Sequence, residues 1–171
     1  MGRIISVPVI FWLLLTGQSK LAFFVFVGAG LSDAVDGYLA KRYGWTSELG
    51  AYLDPLADKL LIVSIFIALG VREELPLWLV IAVVSRDILI IAAVLLAWLL
   101  DQPFAVKPLA VSKANTLMQI VLAATVLADG AFAFGLVQTR VVLVWLTGAL
   151  TFLSLAAYLW AWSRHMAGDE K

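Results

Sequence analysis

Four aspartates, Asp33, Asp36, Asp54 and Asp58, stand close together in a stretch that is otherwise largely apolar. A carboxylate at the centre of a membrane-spanning helix costs on the order of 2.5–3.5 kcal/mol, so four of them mark function before they mark structure. Their spacing sharpens the point. Asp33 and Asp36 are i,i+3 and Asp54 and Asp58 are i,i+4, so each pair shares one face of a helix. Small residues alternate with the acids: Gly37 and Ala40 continue the first stripe, and Ser47, Gly50 and Ala57 belong to the second. Such residues let a neighbouring backbone or a flat ligand come close.

Carboxylate oxygens without sulfur or imidazole select hard cations, Mg²⁺, Mn²⁺ or Ca²⁺, over zinc. The chain has no cysteine, and its one histidine, His165, lies near the polar C-terminus. Two divalent ions match the charge of four carboxylates. A two-metal carboxylate site near a membrane surface is suited to transfer of phosphoryl-type groups, because the ions neutralise phosphate oxygens and stabilise the leaving group. Two blander readings compete with this one. A lone intramembrane aspartate is often an interhelical hydrogen bond, but paired spacing interleaved with glycine is not that pattern. Acids in spans also line ion or proton pathways; transporters, however, break their helices at mid-membrane, whereas these acids flank a loop near one interface.

The elements that must hold the acids are helices in lipid. Of 171 residues, 63% are hydrophobic and 14% charged, with a mean hydropathy of +1.00, which is the composition of a membrane protein. Without repeats, low-complexity tracts or linkers, a single domain over 1–171 is expected. We read an all-α integral membrane bundle with six spans, near 4–16, 21–40, 48–70, 76–100, 109–128 and 139–163. The breaks are Gly17–Lys20, Arg42–Gly44, Arg72–Glu74, Asp101–Pro103 and Asp129-Gly130. Trp78 and Trp98 are placed to mark the two interfacial belts, about 30 Å apart along a helix. The first span is short and follows Arg3, as in a signal peptide, but no small-x-small cleavage site follows it.

An even number of spans puts both termini on one side. Arg3, Lys41, Arg42, Lys107, Arg164 and Lys171 then face Lys20, Arg72 and Arg140 across the membrane, which predicts a cytoplasmic side carrying the termini and the aspartates. No nucleic-acid partner is expected.

These residues spell D-x₂-D-G-x₂-A-K-x₈-G-x₃-D-x₃-D, from Asp33, Asp36, Gly37, Ala40 and Lys41 to Gly50, Asp54 and Asp58. The pattern resembles the signature of the CDP-alcohol phosphotransferases, with Lys41 where the family usually has Arg and Arg42 directly after it. Leu49–Leu61, Leu75–Ile91 with Ser85-Arg86-Asp87, and Lys107–Gln119 look like the cardiolipin synthases of this superfamily. Sister phosphatidylglycerophosphate synthases tend to show Arg-Glu in the fourth helix and Gly-Lys-x-Lys-Thr in the fifth. Arg86-Asp87 and Ser112-Lys113-Ala114-Asn115-Thr116 therefore tilt the reading toward cardiolipin synthase. The family also carries an Asn/Thr-bearing segment before an Arg in the first helix. Arg3 fits that Arg and nothing precedes it that fits the segment, so a shortened start is expected.

The resemblance implies a six-helix homodimeric membrane enzyme that moves a phosphatidyl group from CDP-diacylglycerol to a phospholipid or glycerol-phosphate acceptor and releases CMP. It implies that Asp33, Asp36, Asp54 and Asp58 ligate two Mg²⁺ or Mn²⁺ ions, and that Asp58 is also the base on the acceptor hydroxyl. Gly37, Ala40, Lys41 and Gly50 would meet the cytidine and diphosphate. A bacterial inner membrane is favoured over a mitochondrial inner membrane.

Outside the signature, Arg86 lies too deep to snorkel. It must pair with Asp87 or an aspartate of the site, or bind the acceptor's phosphate. Lys113 sits about one turn inside the fifth helix beside Ser112, Asn115, Thr116 and Gln119; it either snorkels or contacts that phosphate. Asp87 reads as structural, and Lys59 as paired or snorkelling.

Overall fold

Apolar runs of this length satisfy their backbone only as helices when lipid surrounds them, and the computed structural model is helical throughout its described residues. It describes residues 2–43, 48–99 and 110–166; within these, the side chains at 2–5, 33–34, 37–43, 48–58, 93–95, 97–98 and 164–166 lie outside the description. Six helices follow in order: α1 Gly2–Leu15, α2 Ser19–Tyr43, α3 Glu48–Val71, α4 Leu77–Leu99, α5 Ala110–Phe132 and α6 Val137–Met166.

These are the six predicted elements, with one informative difference at their ends. The Asp129-Gly130 break does not stop α5, which continues to Phe132. The Asp129 carboxylate accepts the Leu136 N–H at 3.1 Å and pairs with Arg140 at 3.3 Å, so its charge is met without ending the helix. The chain turns at Ala133 and Gly135, both in the left-handed region. At the junctions after α1 and α3 the stop signals act where expected. Gly17, at φ +76°, closes α1 with its N–H on the Leu14 carbonyl and that of Gln18 on Leu13. Glu73 takes the same left-handed position after α3, with its N–H on Gly70 and that of Glu74 on Leu69.

The helices close a ring in the order α1, α2, α5, α6, α4, α3, with α3 and α5 also touching across it. Two close approaches depend on glycine. A Cβ at Gly148 of α6 would fall 2.7 Å from the Trp78 ring of α4, and one at Gly70 would fall 2.9 Å from the Val80 side chain.

Among the described side chains, the apolar core gathers toward one end of the bundle. It is built from Ile10, Leu13 and Leu14 of α1, Ala22 of α2, Leu61 through Leu69 of α3, Leu79, Val80 and Val83 of α4, and Leu122 through Leu127 of α5. All of these lie toward the end where the 16–18, 72–76 and 133–136 turns gather. That end carries Lys20, Arg72 and Arg140, the three cations grouped there from the sequence. The outward faces are apolar as well: Phe24 and Leu31 on α2, Ile81 and Ile88 on α4, and Trp145, Phe152 and Trp160 on α6 are all exposed. In water such a surface would drive association; in a bilayer it is the face that lipid covers. Two helices, Ala110–Phe132 and Val137–Ser163, are long and apolar enough to cross a membrane among the described residues, and shorter apolar stretches occupy Ser6–Leu15, Ser19–Ser32 and Lys59–Val71.

Candidate active site

The backbone is helical through Asp33 and Asp36 on α2 and through Asp54 and Asp58 on α3, so the i,i+3 and i,i+4 pairings hold as structure. Among the described residues, α2 and α3 do not pack directly on each other. Each leans on α1 and on α5. The acidic stretches are thereby carried by two helices with common neighbours, in the parts of those helices away from the 16–18 and 72–76 turns. Asp36 is exposed. The surroundings of Asp33, Gly37, Ala40, Lys41, Gly50, Asp54 and Asp58 lie outside the described residues. Among the described side chains, no three His, Asp or Glu gather as metal ligands. The donor set that the helical positions supply is oxygen only, which fits a hard divalent ion.

Away from the turns, the structure builds a polar centre around Arg86. This guanidinium is 2% exposed in the middle of α4, and four neighbours hold it. Its Nη1 donates to Asp87 Oδ1 at 2.5 Å. Its Nη2 donates to Ser112 Oγ on α5 at 2.5 Å and to Ser154 Oγ on α6 at 2.7 Å. The Tyr158 ring of α6 lies beneath it, 5.7 Å from the guanidinium carbon. Asp87 has a second cation, Lys59 of α3, whose Nζ is 3.5 Å from the same oxygen. One arginine–aspartate pair therefore ties together α3, α4, α5 and α6. A buried charge needs such pairing, since removing one partner of a buried pair typically costs about 3–5 kcal/mol.

The polar line continues along the α5–α6 seam. Thr151 Oγ1 donates to Asn115 Oδ1 at 3.0 Å, and both residues are fully buried. One turn further along each helix come Gln119 and Thr147, also buried. Arg86 Nε, Asn115 Nδ2, Gln119 Nε2 and Thr147 Oγ1 have no hydrogen-bond partner among the described residues. Lys113, by contrast, is exposed and takes no part in this seam.

Sequence reasoning foresaw that Arg86 must be paired, that Lys59 would pair or snorkel, and that α5 has a polar face. It missed α6. Thr147, Thr151, Ser154 and Tyr158 recur at intervals of four, three and four residues, one stripe of a helix, and that spacing was the available signal.

The family comparison bears on this arrangement directly. A model of the CDP-alcohol phosphatidyltransferase family matches residues 1–154, which include all four aspartates, Arg86, Asp87 and Ser154. The chain belongs to the CDP-alcohol phosphatidyltransferase family. Among curated members, it is 33% identical over 172 residues to a cardiolipin synthase (CMP-forming)/mitochondrial hydrolase fusion protein of Schizosaccharomyces pombe, covering 92% of this chain and 29% of that protein. It is 37% identical over 175 residues to the chloroplastic CDP-diacylglycerol–glycerol-3-phosphate 3-phosphatidyltransferase 1 of Oryza sativa subsp. japonica, covering 92% of this chain and 53% of that one. A cardiolipin synthase (CMP-forming) of Rattus norvegicus is 37% identical over 150 residues, 78% of this chain and 50% of the relative. The chain spans about half or less of the length of these relatives.

Proposed function

We propose that this chain is a phosphatidyltransferase of cardiolipin-synthase type, which moves the phosphatidyl group of CDP-diacylglycerol onto phosphatidylglycerol and releases CMP. The observation that carries this reading is the pair of acidic helix faces, Asp33/Asp36 on α2 and Asp54/Asp58 on α3, inside a CDP-alcohol phosphatidyltransferase match. Membership in the family implies divalent-metal dependence, and the four carboxylates are the residues that would hold two Mg²⁺ or Mn²⁺ ions. When bound, such ions neutralise the diphosphate oxygens and the departing CMP.

The protein's own part is positioning and proton transfer. Asp58 accepts the proton of the acceptor hydroxyl as its oxygen attacks the phosphatidyl phosphorus. The bond from that phosphorus to the CMP oxygen breaks, and CMP leaves with the electron pair. A carboxylate serves as base where it reaches the hydroxyl within hydrogen-bond distance and a bound metal would lower the demand on it. Gly37, Ala40 and Gly50 leave room for the cytidine and diphosphate, and Lys41 offers the diphosphate a cation. Lys113, exposed on α5, is the better placed of the two tentative cations to meet an acceptor phosphate, because Arg86 is already enclosed by Asp87, Ser112 and Ser154. The enzyme works as a six-span homodimer with this site on the cytoplasmic side.

Glycerol-3-phosphate is the rival acceptor, favoured by the 37% identity to the rice glycerol-3-phosphate 3-phosphatidyltransferase. The deciding experiment supplies the solubilised chain with CDP-diacylglycerol and Mg²⁺ or Mn²⁺, and offers each acceptor in turn. Cardiolipin and CMP with phosphatidylglycerol support the first reading. Phosphatidylglycerophosphate made only from glycerol-3-phosphate replaces it with the second, and the absence of CMP release with either acceptor overturns both.

A further inference from the structure

The contacts from Lys59 to Asp87 to Arg86 run from α3 through α4 to α5 and α6, and they reach α3 one residue after Asp58. On α3, the described apolar anchors begin at Leu61 and continue through Ile62, Ile65, Phe66 and Leu69. Among the described residues, Lys59 is the first side chain after the acidic pair that grips another helix by charge. We propose that Lys59 is a positioning residue: held by Asp87, it fixes the rotation of α3 about its own axis at the level of Asp58. The inference rests on the proposed role of Asp58, but it concerns a residue outside the acidic signature.

The geometry makes small rotations matter. Successive residues of a helix share one rotation, and a turn of roughly 20° moves a carboxylate about 2 Å at the periphery of the helix. Misplacing a reacting group by about 1 Å can cost on the order of 100-fold in rate. The charges also explain why Lys59 is the informative place to cut. Asp87 is 9% exposed and already paired with Arg86, so loss of Lys59 leaves no buried carboxylate alone. Loss of Asp87 or Arg86 would strand a buried charge and confuse positioning with folding. Lys59 is 36% exposed, and substitution there leaves the apolar core untouched.

The test compares wild type, Lys59→Met and Lys59→Arg as solubilised full chains, with Mn²⁺ binding followed by electron paramagnetic resonance and CMP release followed kinetically. If Lys59 positions α3, Lys59→Met lowers kcat by roughly tenfold or more, changes KM for CDP-diacylglycerol far less, and weakens Mn²⁺ several-fold. Lys59→Arg restores most of both. The Mn²⁺ readout separates positioning from bulk charge, since removal of a nearby cation by itself tightens the binding of another cation. Unchanged kcat with unchanged or tighter Mn²⁺ binding in Lys59→Met overturns the proposal. If that variant fails to fold, Lys59→Gln takes its place under the same criteria. A wild type that binds Mn²⁺ but releases no CMP defeats the transferase reading alone, and the Mn²⁺ affinities then decide the positioning role.

Discussion

Among the described residues, two arginine-centred clusters hold this bundle, one at each level, and they are built to different rules. At the end where the short turns meet, Arg72 and Arg140 are about a quarter exposed. Arg72 donates to Glu74 at 2.6 Å, to the Leu14 carbonyl and to Ser19; Arg140 donates to Asp129 and to the Glu74 carbonyl at 2.7 Å. Two cations meet two carboxylates, and the remaining bonds go to the backbone carbonyls of Leu14 and Glu74 and to the Ser19 hydroxyl. The level around Arg86 differs. Arg86 is buried, its other partners are hydroxyls rather than carbonyls, and two cations, Arg86 and Lys59, share the single carboxylate of Asp87. The clasp is balanced and closes turns. The inner cluster, among the described residues, gathers two cations around one carboxylate.

That contrast can be broken by substitution. Arg86→Met should have the largest effect on stability, about 3–5 kcal/mol, because it removes one member of a buried pair. Thermal unfolding in detergent reads this, and CMP release should fall with it. Gly148→Ala comes next, at about 1–3 kcal/mol, since the new methyl must displace the Trp78 ring that packs against α6. Arg72→Ala should cost about 1–2 kcal/mol from its lost hydrogen bonds, while CMP release per folded molecule stays at the wild-type rate. A matching loss of turnover in Arg72→Ala would erase the distinction between the two levels. The smallest effect, about 1 kcal/mol, is expected for Thr151→Val, which loses the bond to Asn115 at the α5–α6 seam.

Much of this molecule was legible before any coordinates, and the parts that were not share a cause. Helix limits followed from Gly17 and the Arg72–Glu74 turn, because those residues act locally. The end of α5 did not, since Asp129 looks like a stop until Leu136 and Arg140 are seen to satisfy it. Asp33, Asp36, Asp54 and Asp58 were conspicuous because carboxylates are costly in lipid, and their spacing needs nothing beyond the helix itself. Ser154 and Thr151 were invisible for the opposite reason: hydroxyls in apolar helices often bond their own backbone, as Thr151 also does to Thr147. Only the packing of α6 on α4 and α5 recruits them. Likewise Lys59 and Asp87 are 28 residues apart, and their meeting depends on which faces α3 and α4 present to each other.

The acidic faces of α2 and α3 carry the whole functional reading, and Asp58→Asn tests them most directly. This isosteric change keeps the side-chain volume and removes one charge. With CDP-diacylglycerol, phosphatidylglycerol and Mn²⁺, CMP release should drop by a factor of roughly 1,000, the scale of losing a base together with a metal ligand, while the thermal midpoint stays near wild type. Full turnover in a folded Asp58→Asn protein would contradict the assignment of the acidic pair to catalysis.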